Sequence, residues 1–164
     1  MTGMESTTTV QLPRFGDFTY TPRDVFEFPW GIPGFPALHR WVALHVDEEP
    51  SFVWLQSLDD TKVAIPTANP WSIFESYDPR LPSHAVSALE IENPSDFTLL
   101  CVLVVGKDAQ EFTMNLMAPI VLNVKSRRCR QVLLEGQGHS VRAEIPRRTD
   151  VVSTASETVA PTVS

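Results

Sequence analysis

Apolar and polar side chains alternate in short runs along most of this chain, which is the period-2 pattern of half-buried β-strands. Residues 15–20 alternate large apolar with small or polar side chains, and residues 25–28 form a short aromatic stretch. Over residues 40–46, Trp41, Ala43 and His45 fall on one face and Val42, Leu44 and Val46 on the other. Phe52, Val53, Trp54 and Leu55 mark a strand over 51–57. It turns through Leu58-Asp59-Asp60-Thr61 into another strand over 62–67. Residues 97–105 are nearly all apolar, which predicts a strand buried on both faces. Further strands are predicted over 111–115, 120–124, 129–134 and 141–145. Gly106-Lys107-Asp108, Lys125-Ser126-Arg127 and Glu135-Gly136-Gln137-Gly138 separate them. The spacing predicts an all-β fold, a small antiparallel β-barrel-like or sandwich domain with one or two short helices. One helix is expected over 83–89, capped by Ser83 and ended by the Asn93-Pro94 break. A shorter turn is expected over 70–77, where Trp71, Phe74 and Tyr77 recur at helical spacing and read as core packing before a ligand box.

Fourteen prolines and seven glycines in 164 residues agree with that picture, since both residues punctuate long helices. The length favours one domain with a real core. We expect residues 1–11 to be a disordered lead, 12–146 the folded domain, and 147–164 a disordered tail, because the tail has only scattered valines to bury. No apolar run is long enough to span a bilayer, and the N-terminus lacks the basic and apolar regions of a secretory signal, so a cytoplasmic location is expected. Charge is unevenly placed. Residues 1–100 hold 14 of the 20 acids and 5 of the 13 Lys/Arg, whereas residues 101–164 are slightly basic. Nucleic acid is a poor partner for such a chain, and a basic protein partner is a better one. Solubility alone would also account for the excess acid.

Residues suited to chemistry are scattered. His39, His45, His84 and His139 form no metal-ligand spacing, Ser57 has no flanking glycines to make a nucleophile elbow, and no phosphate loop occurs, so neither catalysis, metal nor cofactor is expected. Cys101 reads as a small buried hydrophobe. Cys129 sits among Arg127, Arg128 and Arg130, a setting that lowers a thiol's pKa and raises its reactivity; an inert thiol on a strand is the competing reading. The carboxylates of Asp47, Glu48, Glu49, Asp59 and Asp60 lie in predicted turns, as a solvated loop or as a docking patch for a cationic partner. The most distinctive stretch is 113–123, an apolar run broken by Ala118-Pro119 and bracketed by Asn115 and Asn123. Asparagine both donates and accepts, so it can tie loop backbone that no ladder satisfies. This segment is suited to holding or presenting a surface.

Taken in order, Arg14-Phe15-Gly16, Phe28-Pro29-Trp30-Gly31-Ile32-Pro33-Gly34-Phe35, residues 52–60, Asn69-Pro70-Trp71, residues 115–123 and Arg130-Gln131-Val132-Leu133-Leu134 resemble the bacterial FliW family of flagellar assembly factors. Met117 stands where that family usually has lysine, His139 where tyrosine is common, and Ile65-Pro66 interrupts an apolar strand. The resemblance implies a non-catalytic protein with two competing partners. These are flagellin, bound in a chaperone-like way, and the RNA-binding translational regulator CsrA, which it antagonises. For a shared site we expect Trp54, Gln56 and Ser57 with Asn115, Ala118, Pro119 and Asn123, flanked by the five carboxylates named above; bracing by the two asparagines is the competing reading. The rival functions are a ligand-binding or cupin-like catalytic barrel, which needs converging histidines and carboxylates, and an OB-type nucleic-acid barrel, whose one electrostatic foothold is residues 125–130.

Overall fold

The alternating runs do become strands, and they assemble around the long apolar one. The computed structural model describes residues 6–46, 49–107 and 111–145, so Asp47 and Glu48 lie outside it, as do the expected tail and the first five residues of the expected lead. The strands are β1 (Thr8–Leu12), β2 (Gly16–Tyr20), β3 (Val25–Glu27), β4 (Arg40–Val46), β5 (Glu49–Ser57), β6 (Ala64–Ala68), β7 (Phe97–Val105), β8 (Phe112–Met114), β9 (Ile120–Asn123), β10 (Cys129–Gln131) and β11 (Ala143–Glu144). β1 and β2 form a separate hairpin, closed by Gly16 at φ +80°, the left-handed position a three-residue hairpin loop requires. The other strands make one antiparallel sheet in the order β10-β9-β7-β6-β5-β4-β3, with β8 on the far half of β7 and β11 beyond β8.

The sheet curls but does not close. β3 and β10 stand at opposite ends of the path and meet at a single parallel bridge, Glu27 with Arg128, through a 2.8 Å bond from the Glu27 N–H to the Arg127 carbonyl. The barrel-like expectation therefore holds for the curvature and not for the ladder. Inside the curl, successive strands each contribute to one core: Phe26, Trp41, Val53 and Leu55, Ile65, Leu100, Ile120 and Leu122, and Cys129. The outer face of β7 carries Leu99, Cys101 and Leu103 into a second core with Tyr77, Ala85, Leu89, Met114, Leu116, Val121, Val132 and Leu134. β7 is thus buried on both faces through its middle, as its apolar run leads one to expect, whereas Val104 and Val105 at its end are about half exposed.

Three local expectations change. β1 begins at Thr8, inside the expected irregular lead, because its backbone pairs with β2 residue by residue. Helix α1 (Ser83–Ala88) has Pro82 at its cap and no side-chain cap bond, so Ser83 is its first residue and not its cap. Residues 70–77 hold only a short 3-10 turn, Pro70–Ser72, capped by the Asn69 side chain at the Trp71 N–H. Tyr77 from that segment is buried, as core packing demands, whereas Trp71 is partly exposed and donates its indole N–H to the Tyr77 carbonyl.

Candidate functional site

The corner between β8 and β9 is held by side-chain as well as backbone hydrogen bonds. Its N–H and C=O groups have no ladder partner, and each must be met by something else or pay the cost of burial. The Asn115 side-chain oxygen accepts from the N–H groups of Met117 and Ala118 at 3.0 and 3.1 Å. The Tyr77 hydroxyl donates to the Leu116 carbonyl at 2.6 Å, and the Gln131 amide donates to the Ala118 carbonyl at 2.9 Å. Backbone bonds finish the set: Asn115 N–H to Val102, Leu116 N–H to Ser140, Leu134 N–H to Met117 and Val132 N–H to Pro119. Proline at 119 has no N–H to satisfy, so it fits where only its carbonyl is used.

At the far end of β9, buried Asn123 does the same for the next turn. Its oxygen accepts from the N–H groups of Lys125 and Ser126, and its amide donates 2.7 Å to the Leu89 carbonyl, tying that turn to the end of α1. Asp96, also buried, anchors the same region. It accepts from the backbone of Glu92 and Asn93 and pairs with Lys125 at 2.9 Å, and the Lys125 hydrogen bond first, then those two N–H groups, holds its carboxyl below the usual range.

The residues expected on β5 divide into two kinds. Trp54 is half-buried on the sheet face, with Phe15 edge-on at 5.9 Å and the Arg14 guanidinium 4.8 Å above its ring, so the β1–β2 hairpin is pinned there. Gln56 and Ser57 are fully buried. The Gln56 amide donates to the carbonyls of Ser57, Thr61 and Val63, and the Ser57 hydroxyl accepts from the N–H groups of Asp59 and Asp60. They shape the turn and offer a partner no side chain. Asp59 is committed too. Burial would raise its pKa, but the N–H groups of His39 and Arg40 and the Arg40 guanidinium at 3.2 Å outweigh that and hold it below the usual carboxylate range. Asp60 accepts from the Lys62 N–H. The corner hangs from β7 at Val102, in register with Thr67 of β6 and Val53 of β5, and Phe52 of β5 meets Phe112 of β8 edge-on at 5.7 Å, so β6 and β7 are what separate Trp54 from the Asn115–Ala118–Pro119 corner. Within that corner Asn115, Met117 and Ala118 are half-exposed, while Leu116 and Pro119 are buried.

Both thiols are buried. Burial pushes Cys101 up to about 12, against a smaller opposing pull from the Tyr77 hydroxyl. Burial also raises Cys129 well above the ordinary thiol range, and Arg127 offsets only part of it. The basic neighbours of Cys129 therefore do not activate it. We expect neither thiol to react with a disulfide reagent at about pH 8 until the chain is unfolded; fast labelling of one thiol in the native protein would refute this.

Two features were not assembled by reading the sequence. A shallow cleft of about 620 Å³ lies between residues 74–80 and 136–140, which Gln137 stitches together by accepting from the Arg80 N–H and donating to the Arg80 carbonyl. The second is Trp30, 45% exposed, with the guanidiniums of Arg130 and Arg128 at 4.6 and 6.0 Å from its ring. Part of the signal was present, since Arg130 lies on the predicted strand and Arg128 just precedes it, two residues away. What was missing was the fold that carries Trp30 to them. Among the described residues, no three of His, Cys, Asp and Glu gather as metal ligands, and no helix is long and apolar enough to cross a membrane.

A family model described as FliW protein matches residues 9–145. The flagellar assembly factor FliW of Thermotoga maritima is 34% identical over 145 residues, covering 85% of this chain and 97% of that one. The protein of the same description from Caldicellulosiruptor saccharolyticus is 34% identical over 128 residues, covering 78% and 84%. A crystal structure of the flagellar assembly factor FliW superposes with a TM-score of 0.78 at 29% identity, covering 86% of this chain and 99% of that one.

Proposed function

This chain belongs to the FliW family of flagellar assembly factors, and on that premise we propose that it works in the cytoplasm as a non-catalytic binding protein with two competing partners. It holds newly made flagellin in a chaperone-like complex, and when flagellin is scarce it binds a CsrA-type translational regulator and keeps it from RNA. The observation that carries this reading is the family match across nearly the whole described fold. The charge distribution supports the second arm. An acidic first hundred residues, placed beside an RNA-binding protein, repels phosphate over roughly a Debye length, about 8–10 Å.

The carboxylates suited to that task are not all equal. Asp59 braces a turn, so its replacement would disturb the fold and the surface together. The discriminating variant is Asp47→Asn/Glu48→Gln/Glu49→Gln. In a competition assay with purified CsrA and a target RNA, it should need about tenfold more protein for half-inhibition than the parent, while still capturing purified flagellin. Inhibition equal to the parent's would remove the electrostatic arm, and failure of the parent to capture flagellin would remove the chaperone arm.

A further inference from the structure

Trp30 and the two arginines beside it form a surface outside the residues expected to bind flagellin or CsrA. We propose that this surface, together with the free edge of β10, docks an extended acidic polypeptide segment with carboxylates at alternate positions. The proposal is independent of the flagellin and CsrA reading.

The first ground is the way Trp30 is presented. The loop after β3 folds tightly: the Phe28 N–H bonds the His39 carbonyl, the Gly31 N–H bonds the Phe28 carbonyl, and Ile32 and Phe35 bridge. Gly31 has φ +70°, and a Cβ there would lie 2.6 Å from the Pro36 backbone, so only glycine fits. Phe28 and Ile32 are buried, which leaves Trp30 fixed outward between anchored neighbours. A rigid exposed indole loses little entropy when a partner covers it.

The second ground is charge. Arg128 and Arg130 lie on one face of the strand region, and both approach the same ring. Two like charges beside one indole repel, and among the described residues neither guanidinium has a carboxylate partner. An anion would neutralise both. On a strand, positions two apart are separated by about 7 Å, so an extended segment bearing acids at every second residue matches the pair.

The third ground is the edge. β10 is an end strand, and among the described residues the single bridge to β3 lies just before it, at Arg128. The bonds from the Asn123 N–H to Arg128 and from the Val132 N–H to Pro119 fix which β10 residues face β9. By alternation the backbone of Gln131 points away from β9, where no strand of the described residues lies. Backbone pairing at Gln131 suits a peptide and has no counterpart in a nucleic acid, which a chain of net charge −7 also repels.

The test uses the full chain and three fluorescein-labelled probes in an anisotropy titration: a peptide of about eight residues alternating Glu and Val, its Lys and Val counterpart, and a single-stranded RNA of similar length. The acidic peptide should bind, the other two should not, and raising salt from about 0.05 to about 0.5 M should weaken binding. Arg128→Ala/Arg130→Ala and, separately, the exposed-site variant Trp30→Ala should each weaken it about tenfold with the melting transition retained. Arg128→Lys/Arg130→Lys should recover part of the loss and serves as the readout if the alanine pair does not fold. The proposal is overturned if the acidic peptide fails to bind, if both peptides bind alike, if RNA binds and is lost with the arginines, if the parent forms a dimer that the double variant abolishes, or if Trp30→Ala binds as the parent does.

Discussion

Trp41→Ala should lower the folding stability of this protein by about 3–5 kcal/mol, the range for truncating a large, fully buried aromatic. Trp41 has no exposed surface and sits on β4 at the centre of the inner core. Its indole N–H donates to the Leu38 carbonyl at 3.1 Å, and its ring meets Phe28 and Phe35 edge-on at 6.0 and 6.5 Å. Alanine removes the ring contacts, opens a cavity and frees that carbonyl at once. Trp41→Phe keeps most of the volume and should cost about half as much. Equilibrium urea unfolding measures both, and a Trp41→Ala midpoint equal to the parent's would contradict the packing described.

Asn123→Ala should cost about 2–4 kcal/mol, although it deletes far fewer atoms. The substitution leaves the buried Leu89 carbonyl without its partner, and the N–H groups of the exposed residues Lys125 and Ser126 without theirs. Asn115→Ala frees two N–H groups at a half-buried site and should cost less, about 1–2 kcal/mol. The ordering is the sharp part: in parallel denaturation curves, a larger loss at 115 than at 123 would mean that the Leu89 tie does not carry the weight given to it.

Where local pattern and tertiary contact agree, the fold is readable from the residues. β4 and β7 occupy the predicted ranges because alternation in one and an unbroken apolar run in the other leave little choice of conformation. β1 escaped because Thr8, Thr9 and Gln11 give a weak pattern, and its partner is supplied by β2. β10 is shorter than its apolar run because Val132 and Leu134 leave the ladder to bond the corner and enter the outer core. The bracing role of Asn115 and Asn123 follows from what an amide can do in a broken apolar run. How far that corner lies from Trp54 is not encoded by alternation, since it is set by sheet order and register. Trp30 and Arg130 meet for the same non-local reason.

The double burial of β7 makes the molecule thermodynamically indivisible. Leu99, Cys101 and Leu103 belong to the outer core, while their neighbour Leu100 belongs to the inner one, and Val121 alternates likewise with Ile120 and Leu122 on β9. Neither half can melt while the other persists, because each would strip the shared strands of half their burial. Heat or denaturant therefore meets one cooperative unit, and a ligand that tightens either side lends its binding energy to the whole.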